Sequence, residues 1–331
     1  MMKVIPWNGE PISAPGIYSG VPMEVYHSAD LCVGPSISSS GLRTIFDPSQ
    51  GPMAYWVYSP MNPLRQERPD SDAFILGRAA HHLFLGEADF AKFFTVEPET
   101  YPDSKSGLMK PWSNNSNFAK EWHEHVASEG LTVLTRKQMD QIKGMAGVLP
   151  WQKGLEDSGL ANNALVAAGA LRGLIEHSII AQDRETGVWL KSRPDVIPTA
   201  SWEFNDFKTS ADVSDDAIRR TLDSFRYDMQ ADLASECLEQ AAGQRFESHA
   251  FIFASKSVPH ATNVAELDDE DLGEAAKDNR VALRTFARCI DTGRWPGPAG
   301  TRGDAAVIGR SNFNRTRAAD RRAHLERELA A

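Results

Sequence analysis

The chain has 331 residues, 41% hydrophobic and 24% charged, and carries a formal net charge of −10. It is long enough to bury a sizeable core and has an ordinary globular balance. It lacks any run of about 18 apolar residues, so a spanning helix is not expected.

The start, MMKVIPWNGEPISAPG, has no apolar stretch of the secretory kind. Cys32, Cys237 and Cys289 are odd in number and lack CxxC spacing. They fit a reducing, cytoplasmic setting and argue against a zinc site or a disulfide framework. The acidic balance counts mildly against nucleic acid as a partner, because phosphate-neutralising surfaces concentrate Lys and Arg. Net charge, however, says little about a single cleft.

In chain order, the first 35 or so residues are rich in Pro and Gly and read as an irregular lead-in. Ser38-Ser39-Ser40 offers N-caps for a helix with Leu42, Ile45 and Phe46, stopped by Asp47-Pro48. A second helix is expected over about 72–85, a long loop over 97–117, and a helical region from there to about 172. Then the pattern changes to strands: 174–180, 188–197 and 202–209, joined by turn-sized connections that suggest an antiparallel meander. The apolar spacing of Ile218, Leu222, Phe225, Met229, Leu233 and Cys237 predicts one helix over 216–242, closed by Gly243. A strand over 246–254 and a helix over 268–290 follow. From Thr301 the tail holds seven Arg against four acidic residues and lacks a large apolar face.

The chemistry concentrates in Arg193-Pro194-Asp195 and Asp206-Phe207-Lys208. Antiparallel neighbours in register would set Asp195 and Asp206 roughly 5 Å apart. Two unpaired carboxylates that close favour a divalent cation between them. Strand alternation puts Lys208 on the face of Asp206, and the Phe207 peptide oxygen is a further candidate ligand. Such a group suits phosphodiester hydrolysis, with the lysine orienting water or stabilising developing charge. The same residues also read as a turn aspartate beside a solvated Asp–Lys pair on a sheet face.

Glu176, ETG at 185–187, RPD at 193–195 and DFKTS at 206–210, in that order, resemble the RecE-type exonuclease VIII family of phages and prophages. That family belongs to the PD-(D/E)xK superfamily with lambda exonuclease and the RecB nuclease domain. The resemblance takes in Tyr55-Trp56, Gly77-Arg78-Ala79-Ala80-His81, the helix of Tyr227 and Gln230, and Arg294-Trp295-Pro296. It implies a restriction-endonuclease-like α/β fold, a central mixed sheet flanked by helices with an N-terminal helical extension. The expected layout is a lead-in over 1–35, a nuclease domain over 36–297 (helical to 172, catalytic α/β core from 173) and a basic tail over 298–331.

Carried over by residue, the resemblance implies metal ligands in His81, Asp195 and Asp206, the catalytic lysine in Lys208, and a functional Gln230. Glu176 is either a further metal ligand or a strand-edge carboxylate. Arg193 contacts phosphate or pairs with a carboxylate. The family often has Tyr four residues after the Gln; here Ala234 stands there, and Tyr227 is the candidate substitute for contacting DNA. The implied cofactor is Mg²⁺, with Mn²⁺ as the other hard ion that suits these ligands. The implied activity is 5′ to 3′ digestion of double-stranded DNA by a ring-shaped homo-oligomer that hands a single strand to an annealing protein. The alternatives are a metal-dependent phosphohydrolase acting on a small nucleotide or phosphoester, and an inactive nuclease-fold DNA-binding module.

Overall fold

The computed structural model describes residues 2–67, 71–84, 90–104, 106–148, 170–198, 202–300 and 303–330. The stretch 149–169, expected to be helical, lies outside them. Among the described residues two five-stranded sheets carry the fold.

The first sheet is mixed. Its order is Thr262–Glu266, Ser248–Ser255, Glu203–Ser210, Val196–Ile197, Leu174–Ile175. Glu203–Ser210 runs parallel to Ser248–Ser255 along its full length, and the other neighbours are antiparallel. Parallel neighbours need a long crossover, supplied here by the helices Asp215–Phe225 and Tyr227–Ala242. Strand alternation sorts the core into two layers. Phe204, Phe251 and Phe253 pack on one face with Met229, Leu233 and Phe286. Phe207, Ile252 and Ala254 pack on the other with Leu76, Ala79 and Ile142. Each fully buried phenylalanine contributes about 2–3 kcal/mol of apolar burial.

The second sheet has the order Val4–Pro6, Gly16–Ser19, Ser178–Gln182, Trp189–Ser192, Ser36–Ser38. The first 35 residues are therefore not an irregular lead-in, because two of their segments pair as strands. Their Pro and Gly residues mark the turns between, where they masked the short apolar runs VIP and GIYS.

The expected meander is present but shared between the two sheets. The first expected strand divides at Glu176 into Leu174–Ile175 and Ser178–Gln182, and the second divides at 193–195 into Trp189–Ser192 and Val196–Ile197. Glu176 has a left-handed φ of 53°, a conformation that costs a non-glycine residue about 1 kcal/mol. Pro194 lacks an N–H for the ladder at the other crossing. Gly173 is required where the edge strand comes in, since a Cβ there would lie 2.2 Å from the Ile197 carbonyl oxygen.

Three further expectations change. The helix predicted over 216–242 is two helices, broken at Arg226 with φ 50° and ψ 53°. Its guanidinium holds that turn by donating to Asp228 and Asp278. The long loop contains a hairpin of Thr100–Pro102 with Met109–Pro111. The tail contains a helix, Asn312–Leu329, with no buried residue. Gly243 closes its helix at φ 74°, as the spacing predicted.

Two segments far apart in sequence meet. Trp56, from helix Gly51–Tyr58, stacks on Trp295 with centroids 4.6 Å apart and planes at 10°. The Met53 N–H donates to the Pro296 carbonyl at 3.1 Å.

Candidate active site

The site lies where the chain passes from one sheet to the other. Val196 pairs with Asn205 and with Ile175. One step along these antiparallel ladders, Asp195 falls opposite both Asp206 and Glu176, and the Glu176 N–H donates to the Asp195 carbonyl at 3.2 Å. Three carboxylates thus share one level across three strands. Asp195 and Asp206 are buried.

His81 arrives from the helix Asp72–Phe84, one turn after Gly77, where the helix passes Thr209. Its Nδ1 lies 3.1 Å from Asp195 Oδ1, and its ring sits 5.3 Å from that of Phe207. One ligand atom from each of His81, Glu176 and Asp195 lies within 4.8 Å of the others. A nitrogen with two carboxylate oxygens is a donor set that suits a divalent cation. The residues present therefore fit the metal that the fold implies. Asp206 stands beside this trio but turns its carboxylate to Lys208 and Gln230. Lys208 Nζ donates to Oδ2, and Gln230 Nε2 donates to Oδ1 at 3.0 Å. The Phe207 N–H donates to Asp195 Oδ2 at 2.6 Å, and in a strand its carbonyl lies on that same edge.

Burial shapes the charges. It works to raise the Asp195 pKa, but His81 and Lys208 outweigh it and the net shift is downward. Asp206 is pushed up, by burial first and by Asp195 second. Burial works against charge on Lys208, yet Asp206, Tyr227 and Asp195 hold its pKa up. His81 is raised to about 9 despite its burial, mainly by Asp195. The His81 ring and the Lys208 ammonium thus lie directly against the two aspartates, one on each.

Tyr227 lies under Lys208, with Nζ 4.8 Å from the ring centroid, and is stacked between Phe225 and Phe251. Arg193 lines the cleft, but its guanidinium donates to Ser178 Oγ and to the Val21 carbonyl and lies 4.4 Å over the Tyr26 ring. Ala234 is buried in the core.

Sequence reasoning missed Arg43 and Lys191. Arg43, from helix Ser39–Phe46, lines the cleft and donates to the Phe225 carbonyl. Lys191 is buried at 5% exposure, donates to the Tyr26 carbonyl at 2.6 Å, and burial lowers its pKa to about 8. The available signal was a lysine inside the apolar strand segment VWLKS. The cleft has a volume of about 240 Å³, and its lining includes four cationic side chains (Arg43, Lys191, Arg193, Lys208) against two carboxylates (Asp195, Asp206). It is locally positive on a chain of net charge −10.

The family described as a PDDEXK-like domain of unknown function (DUF3799) matches residues 60–303. The chain belongs to that family. Its fold is shared, at a TM-score of 0.50 and 15% identity, by a putative exonuclease from Eubacterium rectale, over 83% of this chain and 91% of that one. A phage-related exonuclease from Haemophilus somnus 129PT aligns with a TM-score of 0.28 and 13% identity, over 65% of this chain and 95% of that one. No curated protein matches by sequence. The family match and the shared fold place this DUF3799 chain in the PD-(D/E)xK superfamily. No described helix is long and apolar enough to cross a membrane.

Proposed function

We propose that this DUF3799 chain is a metal-dependent exonuclease that hydrolyses double-stranded DNA from 5′ to 3′ and works as a homo-oligomeric ring in phage-type recombination, with a single-strand annealing protein as its partner. The observation that carries the hydrolytic reading is the row of Glu176, Asp195 and Asp206 at one level, with His81 and Lys208 beside it. The E. rectale protein of the same fold is described as a putative exonuclease, which supports the reading.

His81, Glu176 and Asp195 would hold the cation, with Asp206 and the Phe207 carbonyl as further ligands of the same site, and Mg²⁺ is the proposed ion. When bound, a divalent ion polarises the scissile phosphate and lowers the pKa of a water. Lys208 supplies the fixed positive charge. Asp206 and Tyr227 hold its ammonium where negative charge develops as water adds to phosphorus. Gln230 fixes the Asp206 carboxylate, so Lys208 keeps one orientation. Arg43, Lys191 and Arg193 make the cleft attractive to the phosphate backbone despite the overall charge.

The test is digestion of a linear duplex labelled at its 5′ or 3′ end, with light scattering on the same preparation. Early loss of the 5′ label and a mass several times that of one chain would agree with the proposal. Early loss of the 3′ label would refute the polarity, and a monomeric mass would refute the ring.

A further inference from the structure

The basic tail takes no part in the catalytic cleft. Helix Asn312–Leu329 buries no residue and lies beyond the family match, which ends at residue 303. A helix that is polar all round gains little from packing and is marginal by itself in water. Its charges also run against its own dipole. Over about three N-terminal turns, Arg315, Arg317, Arg321 and Arg322 stand against Asp320 alone, while Glu326 and Glu328 sit at the C-terminal end. Arg317 and Arg321, one turn apart, repel each other. An anion held along the first turns would relieve both costs.

One face gathers the groups that could hold it. Asn314, Arg317 and Arg321 follow the i, i+3, i+7 spacing of a single helix face. Arg310, just before the helix, joins them around a groove of about 400 Å³. The three arginines are exposed and, among the described residues, none has a hydrogen bond or ion pair. Elsewhere Arg226, Arg245, Arg280 and Arg284 are each held by carboxylates. A row of free guanidiniums fits a row of oxyanions, and a phosphodiester backbone is one. A lipid surface also presents phosphates, but a helix lying on it needs an apolar face. The exposed Phe313 and Leu325 stand about 120° apart around this helix, so they form no such face.

We propose that the face of Arg310, Arg317 and Arg321 is a second nucleic-acid contact, separate from the catalytic cleft, that grips the phosphate backbone of duplex DNA. The identity of the polyanion rests on the nuclease reading. The contact is blind to sequence and weakens with salt, and it tethers a chain of net charge −10 to its substrate.

The test is titration of a fluorescent duplex with the full-length protein by anisotropy, at several salt concentrations and without metal. One variant combines Arg310→Gln, Arg317→Gln and Arg321→Gln. A second combines Arg315→Gln, Arg322→Gln and Arg327→Gln, which removes the same charge from outside that face. Glutamine keeps helix propensity, and circular dichroism shows whether each fold is retained. The first variant should bind at least about tenfold more weakly, with a slope of log affinity against log salt shallower by about 2 to 3. The second should stay close to wild type. Wild-type affinity and slope in the first variant, or equal losses in the two, would overturn the proposal. Unchanged duplex binding together with lost sedimentation on phosphatidylserine vesicles would overturn it in favour of a lipid surface. Absence of hydrolysis when Mg²⁺ is added would instead count against the catalytic reading and leave the binding result standing.

Discussion

Lys208 gains its position from three sources: the strand, which sets it two residues beyond Asp206; the Asp206 carboxylate; and the Tyr227 ring. Replacing it with alanine removes one of the four cationic side chains that line the cleft and leaves Asp206 buried without that charge. Two consequences are expected. Hydrolysis should fall by at least about 10²-fold, the usual cost of losing one preorganised electrostatic group. Stability without metal should fall by roughly 3 kcal/mol in urea unfolding, the cost of breaking a buried pair. A Lys208→Ala protein as stable as the wild type would show that the pair is solvated. His249 allows a test away from the site. It is buried against Ser235 at 2.7 Å, and burial, aided by Arg245, lowers its pKa to about 4. The unfolded chain binds that proton near pH 6.5, so the stability is fully present above about 6.5 and is lost as pH falls toward about 4. The wild type should lose about 3 kcal/mol more than His249→Gln over that interval. Parallel pH profiles for the two proteins would rule this out.

Among the elements, the two strand breaks matter most, because they coincide with the site. Asp206 and Lys208 were legible in the sequence because both lie inside one continuous strand, where alternation alone sets their faces. The breaks at Glu176 and at 193–195 were not legible, since they arise from pairing with Gly16–Ser19 and Ser36–Ser38, segments far away in sequence. The break at Arg226 was hidden for a similar reason. The apolar spacing runs straight through it, and its partner Asp278 lies 52 residues away. The ETG motif at 185–187 also gains a physical role. Glu185 takes hydrogen bonds from Arg284, and Asp183, whose carboxylate caps Thr186, takes one from Arg280. These contacts clip the hairpin to helix Asp269–Thr292. The Trp56–Trp295 stack does the equivalent for helix Gly51–Tyr58 and the segment that follows helix Asp269–Thr292. Trp295→Ala should cost about 2 kcal/mol and lower the melting temperature by a few degrees. An unchanged melting temperature would mean that the stack contributes no net stability.

Across the whole molecule, the acidic net charge and the positive cleft are reconciled by position. The cations that line the site are drawn from helix Ser39–Phe46 and from strands of both sheets, and the acidic excess lies elsewhere. The terminal helix Asn312–Leu329 buries nothing. Removal of residues 303–331 should therefore leave the thermal unfolding midpoint unchanged, and a drop of several degrees would reveal packing that the structure does not show. The central claim is that the Glu176–Asp195–Asp206 row, with Lys208, hydrolyses phosphodiester bonds when a divalent cation is present. The most direct test is release of acid-soluble nucleotides from linear duplex DNA by wild type and Lys208→Ala, each with and without Mg²⁺. Nucleotide release by the wild type only with the metal, and loss of that release in the variant, is the predicted result. No release by the wild type, or equal release by the folded variant, would contradict the account.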